Sequence, residues 1–315
     1  MLYSLGVIIM CVKYLRIILL WVVLLPFVVK AQPVSVSLDI PEYVVFAGDT
    51  LDIRRYDLRG RYDREQLSFM YMHSSSLQIV RRANRYFPII EPILKREGVP
   101  DDFKYLAVIE SSLNPLAYSP AKAAGMWQFL GSTGKEYGLE VSEEVDERYH
   151  VEKATVAACR YLKDARERLG SWVNAAAAYN AGLNRISSEQ DKQRVESALD
   201  MRLVSETSRY VFRIMAAKAF LEDPQKFGFY LKKEHFYHHI RVKEVEVSGV
   251  VEDWAVWCER YGLTYAQLKD FNPWLRGRGL KNERGRRYVL LLPLAEDLYY
   301  SPDKVRIHYA GWVGE

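Results

Sequence analysis

The chain has 315 residues, 49% of them hydrophobic, and a formal charge of +4. That is enough for one large domain plus a small one. Lys13, Arg16 and Lys30 are the charged residues of the first 31 positions, which leaves about +1 for the rest and excludes an electrostatic case for nucleic acid or for steering to an acidic surface. Lys13 and Arg16 precede an apolar run, Ile17 to Val29, whose thirteen residues are too few for a typical membrane span. Val29-Lys30-Ala31 then offers compatible residues at a cleavage site, so residues 1–31 are predicted to be a signal peptide, with Gln32 the new N-terminus. An uncleaved anchor is the alternative. The apolar stretch Leu5–Val12 precedes the basic pair, which makes Met10 a second candidate start. Cys11 lies in this leader without a lipobox context.

Residues 32–70 form an N-terminal extension of mixed pattern. Helical patterning runs from Ser74 to Ala219, inside a domain expected over 71–228. Leu77, Val80, Ala83 and Phe87 recur at helical spacing, and Pro88 is expected to start a second segment through Leu94. Pro100-Asp101-Asp102 reads as a helix start, with acids placed for capping and for the dipole. That helix delivers Glu110 at its C-terminal end. Val151–Leu169 carries one stripe of Ala154, Ala158, Tyr161, Leu162, Ala165 and Leu169, and Gly170 closes it. Ser171 caps Trp172–Ala181, whose alanine run permits close packing, and Glu206–Leu221 stops before Pro224. Beyond about residue 225 the pattern changes. Arg241–Val247 alternates with period two, Glu252–Tyr261 and Thr264–Phe271 read as helices, and Arg287–Leu292 is a second strand. The order β-α-α-β marks a small module over 240–295, followed by a tail over 296–315.

Three clusters carry chemistry. Glu110 closes the apolar run Tyr105-Leu106-Ala107-Val108-Ile109 and is followed by Ser111. Gly125-Met126-Trp127-Gln128 and Ala178-Tyr179-Asn180-Ala181-Gly182 come later in the chain. One acid followed by an amide and a Tyr-Asn pair suits acid catalysis on a polar, uncharged bond, and glycoside cleavage fits that best. A glycosidic oxygen leaves poorly until protonated, so the acid must hold its proton near neutral pH, and apolar surroundings favour that. Most glycosidases use two carboxylates. Here Glu143, Glu144 and Asp146 lie in a loop-like stretch and read as structural or solvated. A single-acid enzyme can take its nucleophile from the substrate: in peptidoglycan, the C6 hydroxyl of N-acetylmuramic acid can attack its own C1.

These clusters resemble a family 1 lytic transglycosylase of the soluble-lytic-transglycosylase (SLT) type, in the group of the membrane-bound murein transglycosylases D. Glu110-Ser111 matches the family's Glu-Ser, Gly125–Gln128 its Gly-Leu-Met-Gln, and Ala178–Gly182 its Ala-Tyr-Asn block. Glu206-Thr207-Ser208-Arg209-Tyr210 resembles a later block that contributes a cleft tyrosine. The resemblance covers about residues 70–225. It implies a mainly α chain with a lysozyme-like catalytic domain. It implies Glu110 as acid/base, Ser111 orienting it, Gln128 on sugar, Met126 or Trp127 lining the cleft, and Tyr179 and Asn180 supporting the transition state, with Tyr210 beside Glu110. Peptidoglycan strands are the implied partner, in the periplasm or envelope of a Gram-negative-type bacterium, acted on by a monomer. No cofactor and no metal are implied, and peripheral membrane or cell-wall association is open. One departure is Lys122, where the family's Ser-Pro-Ala-Gly-Ala has glycine; a positive φ there would strain the turn.

The C-terminal module resembles a degenerate LysM domain through Tyr261–Leu268, Phe271–Trp274 and Val289–Pro293. Its usual Gly-Asp-Thr opening is replaced by Ser248–Trp254. Glycan binding and a purely structural role are both open for it. Gly48-Asp49-Thr50-Leu51 resembles such an opening, but no helix pair follows, so the match is a coincidence. Cys159 and Cys258 form no visible framework and are expected to be buried thiols. His235, His238 and His239 lack supporting carboxylates and read as a surface cluster rather than a metal site. Two other functions compete: a goose-type lysozyme-like hydrolase, which would use water as nucleophile, and an inactive peptidoglycan-binding scaffold, which an eroded Glu or Gln would signal.

Overall fold

The structure, a computed structural model, describes residues 37–314, so the leader expected over residues 1–31 lies outside the described residues. A hairpin comes first. Strand β1 (Tyr43–Phe46) pairs antiparallel with β2 (Asp49–Asp52), with Val45 opposite Thr50. Gly48 therefore belongs to a hairpin turn. Eight α-helices follow: α1 (Tyr56–Tyr71), α2 (His73–Glu97), α3 (Lys104–Ser111), α4 (Gly131–Glu136), α5 (Val151–Leu169), α6 (Trp172–Ala181), α7 (Leu183–Gln193) and α8 (Ser205–Glu222). Then β3 (Val242–Val247) and β4 (Tyr288–Pro293) pair antiparallel around α9 (Trp254–Glu259) and α10 (Tyr265–Phe271). The chain is mainly α, with a β-α-α-β module behind a helical body. No helix among the described residues is long and apolar enough to cross a membrane.

Helix α8 is the axis of the body. It packs against α1, α3 and α6. Its buried side chains, from Tyr210 and Val211 through Ile214, Met215 and Phe220, point in several directions, as a helix with neighbours on several sides requires. Ala175 to Ala178 are fully buried, which lets α6 approach both α5 and α8. Ser171 caps α6 by accepting from the Asn174 N–H at 3.1 Å.

The helix break expected at Pro88 does not occur. Helix α2 runs on through Pro88 and Pro92. Both prolines are exposed, so their rings crowd no neighbouring element, while Ile79, Val80, Ala83, Phe87, Ile90 and Leu94 carry one buried stripe across the site. Packing outweighs the intrinsic penalty of about 3 kcal/mol per proline.

Residues 43–71, unreadable as sequence, belong to the helical body. Phe46, Ile53, Leu58, Tyr62 and Met70 share its core. Glu65 on α1, 1% exposed, accepts a two-pronged bond from Arg209 of α8 at 2.6 and 3.1 Å.

Residues beyond 296 return to the same body. Trp312 is fully buried and donates from Nε1 to the Leu221 carbonyl at 2.6 Å. Asn84 of α2 donates to the Arg306 carbonyl and accepts from the His308 N–H, each at 2.8 Å.

Of the three histidines expected at the surface, one is not there. His238 is buried, with Nε2 2.6 Å from the Asp297 carbonyl and its ring against Tyr300. The linker folds onto the turn at 295–300, which takes this residue off the surface while His235 and His239 stay exposed. Cys159 and Cys258 are free, buried thiols.

The tail's contribution is measurable. Trp312→Ala is expected to lower the unfolding free energy by about 3–5 kcal/mol, the usual range for a buried aromatic, in denaturant titrations. A loss below about 1 kcal/mol would mean that the returning segment is not part of the folded core.

Candidate active site

Glu110 lies in the last turn of α3. Helix α3 ends because Ser112 and Leu113 take left-handed backbones, φ 54° and 56°. Glu110 is half-buried. From α8, the buried Tyr210 hydroxyl donates to Glu110 Oε1. Burial raises the Glu110 pKa to about 7, against the Tyr210 bond and the Arg213 charge, which lower it; the Glu206 charge adds to the rise. The negative end of the α3 dipole acts in the same direction as burial. A carboxyl poised there can give up a proton near neutral pH and take it back.

Tyr179, from α6, donates its hydroxyl to the Trp127 carbonyl at 2.8 Å. Its ring meets Tyr161 and Phe129 edge-on. Burial first, and then the Glu110 charge, push its phenol well above 10, so it stays protonated and remains a donor. The next residue, Asn180, accepts from the Thr207 hydroxyl of α8 at 2.8 Å. That bond orients the side-chain amide with its two donors unused by Thr207. Thr207 was not singled out in the sequence, although it lies inside the Glu206–Tyr210 block.

The loop between α3 and α4 supplies the third wall. Ser111 Oγ donates to the Met126 carbonyl at 2.8 Å and accepts from the Asn114 N–H at 3.2 Å. It ties the end of α3 to this loop. Gln128, at φ 50°, donates from Nε2 to the carbonyls of Gly125 (2.8 Å) and Ala117 (3.2 Å). With both donors engaged, its remaining polar capacity is the acceptor Oε1. Met126 and Trp127 correct the expectation that one of them lines the cleft. Both side chains are buried, and Trp127 Nε1 donates to Thr155 Oγ1 of α5 at 2.9 Å. Their backbone carbonyls, not their side chains, meet Ser111 and Tyr179. Leu116, Tyr118 and Leu130 are the exposed large apolar residues of the same loop.

Asp146 is structural. It is buried and grips Arg148 through two bonds, at 2.9 and 2.7 Å. Gly125 is dictated by that neighbour. It has φ 78°, and a Cβ there would lie 1.8 Å from the Arg148 carbonyl oxygen. Lys122 does adopt the left-handed backbone, φ 65°, at an exposed position.

Residues 87–202, which contain Glu110, Gln128, Tyr179 and Asn180, match the family model of the transglycosylase SLT domain. Residues 243–296 match the soluble lytic transglycosylase C-terminal LysM-like domain. The membrane-bound lytic murein transglycosylase D of Escherichia coli strain K12 is 30% identical over 226 residues, which cover 70% of this chain and 48% of that protein. Its counterpart in Escherichia coli O6:H1 matches with the same identity and coverage. The chain thus spans about half the length of the curated relatives it matches. The SLT match begins inside α2 and ends before α8. The tyrosine that bonds Glu110 therefore comes from a helix beyond it.

Two outcomes are expected. Gly125→Ala should destabilise by more than about 3 kcal/mol, since backbone must move to admit the methyl group, while Lys122→Gly should change stability by less than about 1 kcal/mol, relief of strain opposing added chain entropy; chemical denaturation of both variants measures the contrast. Glu110→Gln should leave stability least changed near pH 3, well below 4.5, where the carboxyl is protonated folded and unfolded. As pH rises from the unfolded value of 4.5 to about 7, the unfolded carboxyl ionises while the buried one keeps its proton, so the wild type loses stability that the variant keeps, and the loss levels off above about 7. The variant should therefore be more stable at pH 9, by about 1–3 kcal/mol. Equal stability at both pH values would contradict the raised pKa.

Proposed function

We propose that the protein is a lytic transglycosylase that cleaves the β-1,4 bond between N-acetylmuramic acid and N-acetylglucosamine in peptidoglycan, with Glu110 as its single acid/base. The observation that carries this reading is the Glu110–Tyr210 pair, a carboxyl held near pKa 7 by burial and oriented by a phenol. The SLT match and the murein transglycosylase relatives support the substrate class.

In the first half-reaction, protonated Glu110 gives its proton to the glycosidic oxygen as the C1–O bond breaks, and the N-acetylglucosamine part leaves as an alcohol. In the second, the Glu110 carboxylate takes the proton of the muramyl C6 hydroxyl as O6 bonds to C1. The acid is restored, a 1,6-anhydromuramyl end forms, and no water is consumed. Tyr210 occupies Oε1, which leaves Oε2 to carry the proton to substrate. Tyr179 and the Asn180 amide supply fixed dipoles for the charge that builds in the sugar ring. Gln128 Oε1 accepts from sugar hydroxyls or amides, and Ser111 holds the loop that carries Gln128. Glu206 is exposed in the first turn of α8, where an acid stabilises the helix, and it has no step here. Export to the cell envelope belongs to the same proposal, because the substrate lies there, as do action as a monomer and peripheral association with wall or membrane.

Product analysis tests this. Residues 32–315, wild type and Glu110→Gln, are incubated with peptidoglycan and the muropeptide ends identified by mass spectrometry. Anhydromuramyl ends are expected from the wild type, with a loss of about 10²–10⁴-fold in the variant. Activity should fall as pH rises above about 7, where Glu110 loses its proton. Tyr210→Phe removes a bond that favours the carboxylate, so it should move that limb to higher pH. Reducing ends would make the protein a hydrolase on the same scaffold, and binding without cleavage would make it a scaffold.

A further inference from the structure

The stretch from Glu140 to His150 touches both the active-site loop and the LysM-like module. On the loop side, Arg148 is buried. Its Nη1 donates to the carbonyls of Lys122 (2.9 Å) and Phe129 (3.0 Å). Its own carbonyl lies where any side chain at residue 125 would need to be. Arg148 thus braces both flanks of the segment that carries Gln128 and offers the Met126 carbonyl to Ser111. On the module side, the Asp146 N–H donates to the Trp274 carbonyl at 2.8 Å, while the Asp146 carboxylate holds Arg148 in two places. The Glu144 carbonyl accepts from the N–H groups of Arg276 and Gly277, at 2.7 and 3.1 Å. Glu144 Oε2 accepts from the Lys281 N–H at 2.9 Å. Glu140 Oε2 accepts from Arg286 at 2.7 Å and Tyr288 at 3.0 Å. The His150 ring stacks on Trp274. Ala124 of the active-site loop shares a core with module residues Trp274, Leu275 and Tyr288.

We propose that Arg148 is a positioning residue for the glycan-binding loop and that the LysM-like module sets its position through Asp146 and Trp274. The module then acts on the active site as a rigid brace, whether or not it also binds glycan. The chemistry singles out arginine. Its planar fork serves two carbonyls and one carboxylate at once, which a lysine ammonium cannot do from one position. Displacement of this loop would move Gln128 and loosen the Ser111–Met126 and Tyr179–Trp127 bonds, whereas the Glu110–Tyr210 bond between α3 and α8 does not run through it. The expected signature is therefore weaker glycan binding with an unmoved pH limb.

This rests on the transglycosylase reading, so the test separates the two. Affinity for soluble glycan strands prepared from peptidoglycan is measured by calorimetry in full-length Glu110→Gln protein, alone and combined with Arg148→Lys or with Glu140→Ala/Glu144→Ala at the module seam. KM, kcat and pH profile are measured with the same changes in the active enzyme. Both changes should weaken binding and raise KM, Arg148→Lys by about five- to tenfold, on the order of one net hydrogen bond, and the seam pair by less. The alkaline limb should stay in place. Unchanged affinity and KM in folded variants, or a loss of kcat alone that tracks an unfolded fraction, would overturn the proposal. Should Arg148→Lys fail to fold, the seam pair decides by the same criteria. A wild type that binds strands without cleaving them would sink the transglycosylase reading and leave the binding comparison intact.

Discussion

The Glu110 carboxyl stands between two opposed forces. Removal from water favours its protonated form, while the Tyr210 hydroxyl and the Arg213 charge favour its ionised form. Burial prevails, and the pKa settles at about 7. A fully dry carboxyl with no donor would hold its proton too tightly to release it, and a solvated one would hold none at neutral pH. Tyr210 can serve as the counterweight because it is itself buried and its phenol is pushed well above 10. It therefore keeps its proton and remains a donor at neutral pH.

That balance depends on where α8 lies. The same helix presents Tyr210 to Glu110, Thr207 to Asn180 and Arg209 to Glu65. Its far end is tied to the last turn of the chain, where Trp312 donates to Leu221. The Glu65–Arg209 pair is informative because Glu65 is almost wholly out of water. An acid left there without its partner would destabilise strongly, so α1 and α8 are registered against one another. Segments before and after the SLT match thus hold the helix that tunes the acid inside it.

Much of this was legible in the chain. Helices α5 and α6 stand where their stripe, Gly170 and Ser171 put them, because local signals and tertiary packing agree there. The β-α-α-β order of the module was readable for the same reason. Glu110 and Tyr210, a hundred positions apart, met as the resemblance implied. The rest failed for identifiable reasons. Pro88 and Pro92 are weak breakers when both face water and a continuous apolar stripe lies opposite. Helix α7 buries only Ile186, so its sequence shows no stripe. Residues 43–71 pack a few large side chains onto a core made mainly elsewhere, and no local pattern encodes that. Met126 or Trp127 was placed in the cleft by the family resemblance, but both side chains are buried. Thr155, the partner of the Trp127 indole in the core, could not be found by spacing. Thr207 was missed for a related reason: a threonine in a helix acquires meaning only from the Asn180 that faces it.

The most direct test is the titration of Glu110 itself. Carbon-13 labelling of the glutamate carboxyls, with the Glu110 resonance assigned by its absence in Glu110→Gln, allows its shift to be followed from pH 3 to 10 by NMR. A midpoint near 7, moving upward in Tyr210→Phe, is the expected result. A midpoint near 4.5 would mean that the carboxyl is solvated, and the acid role built on its burial would fall.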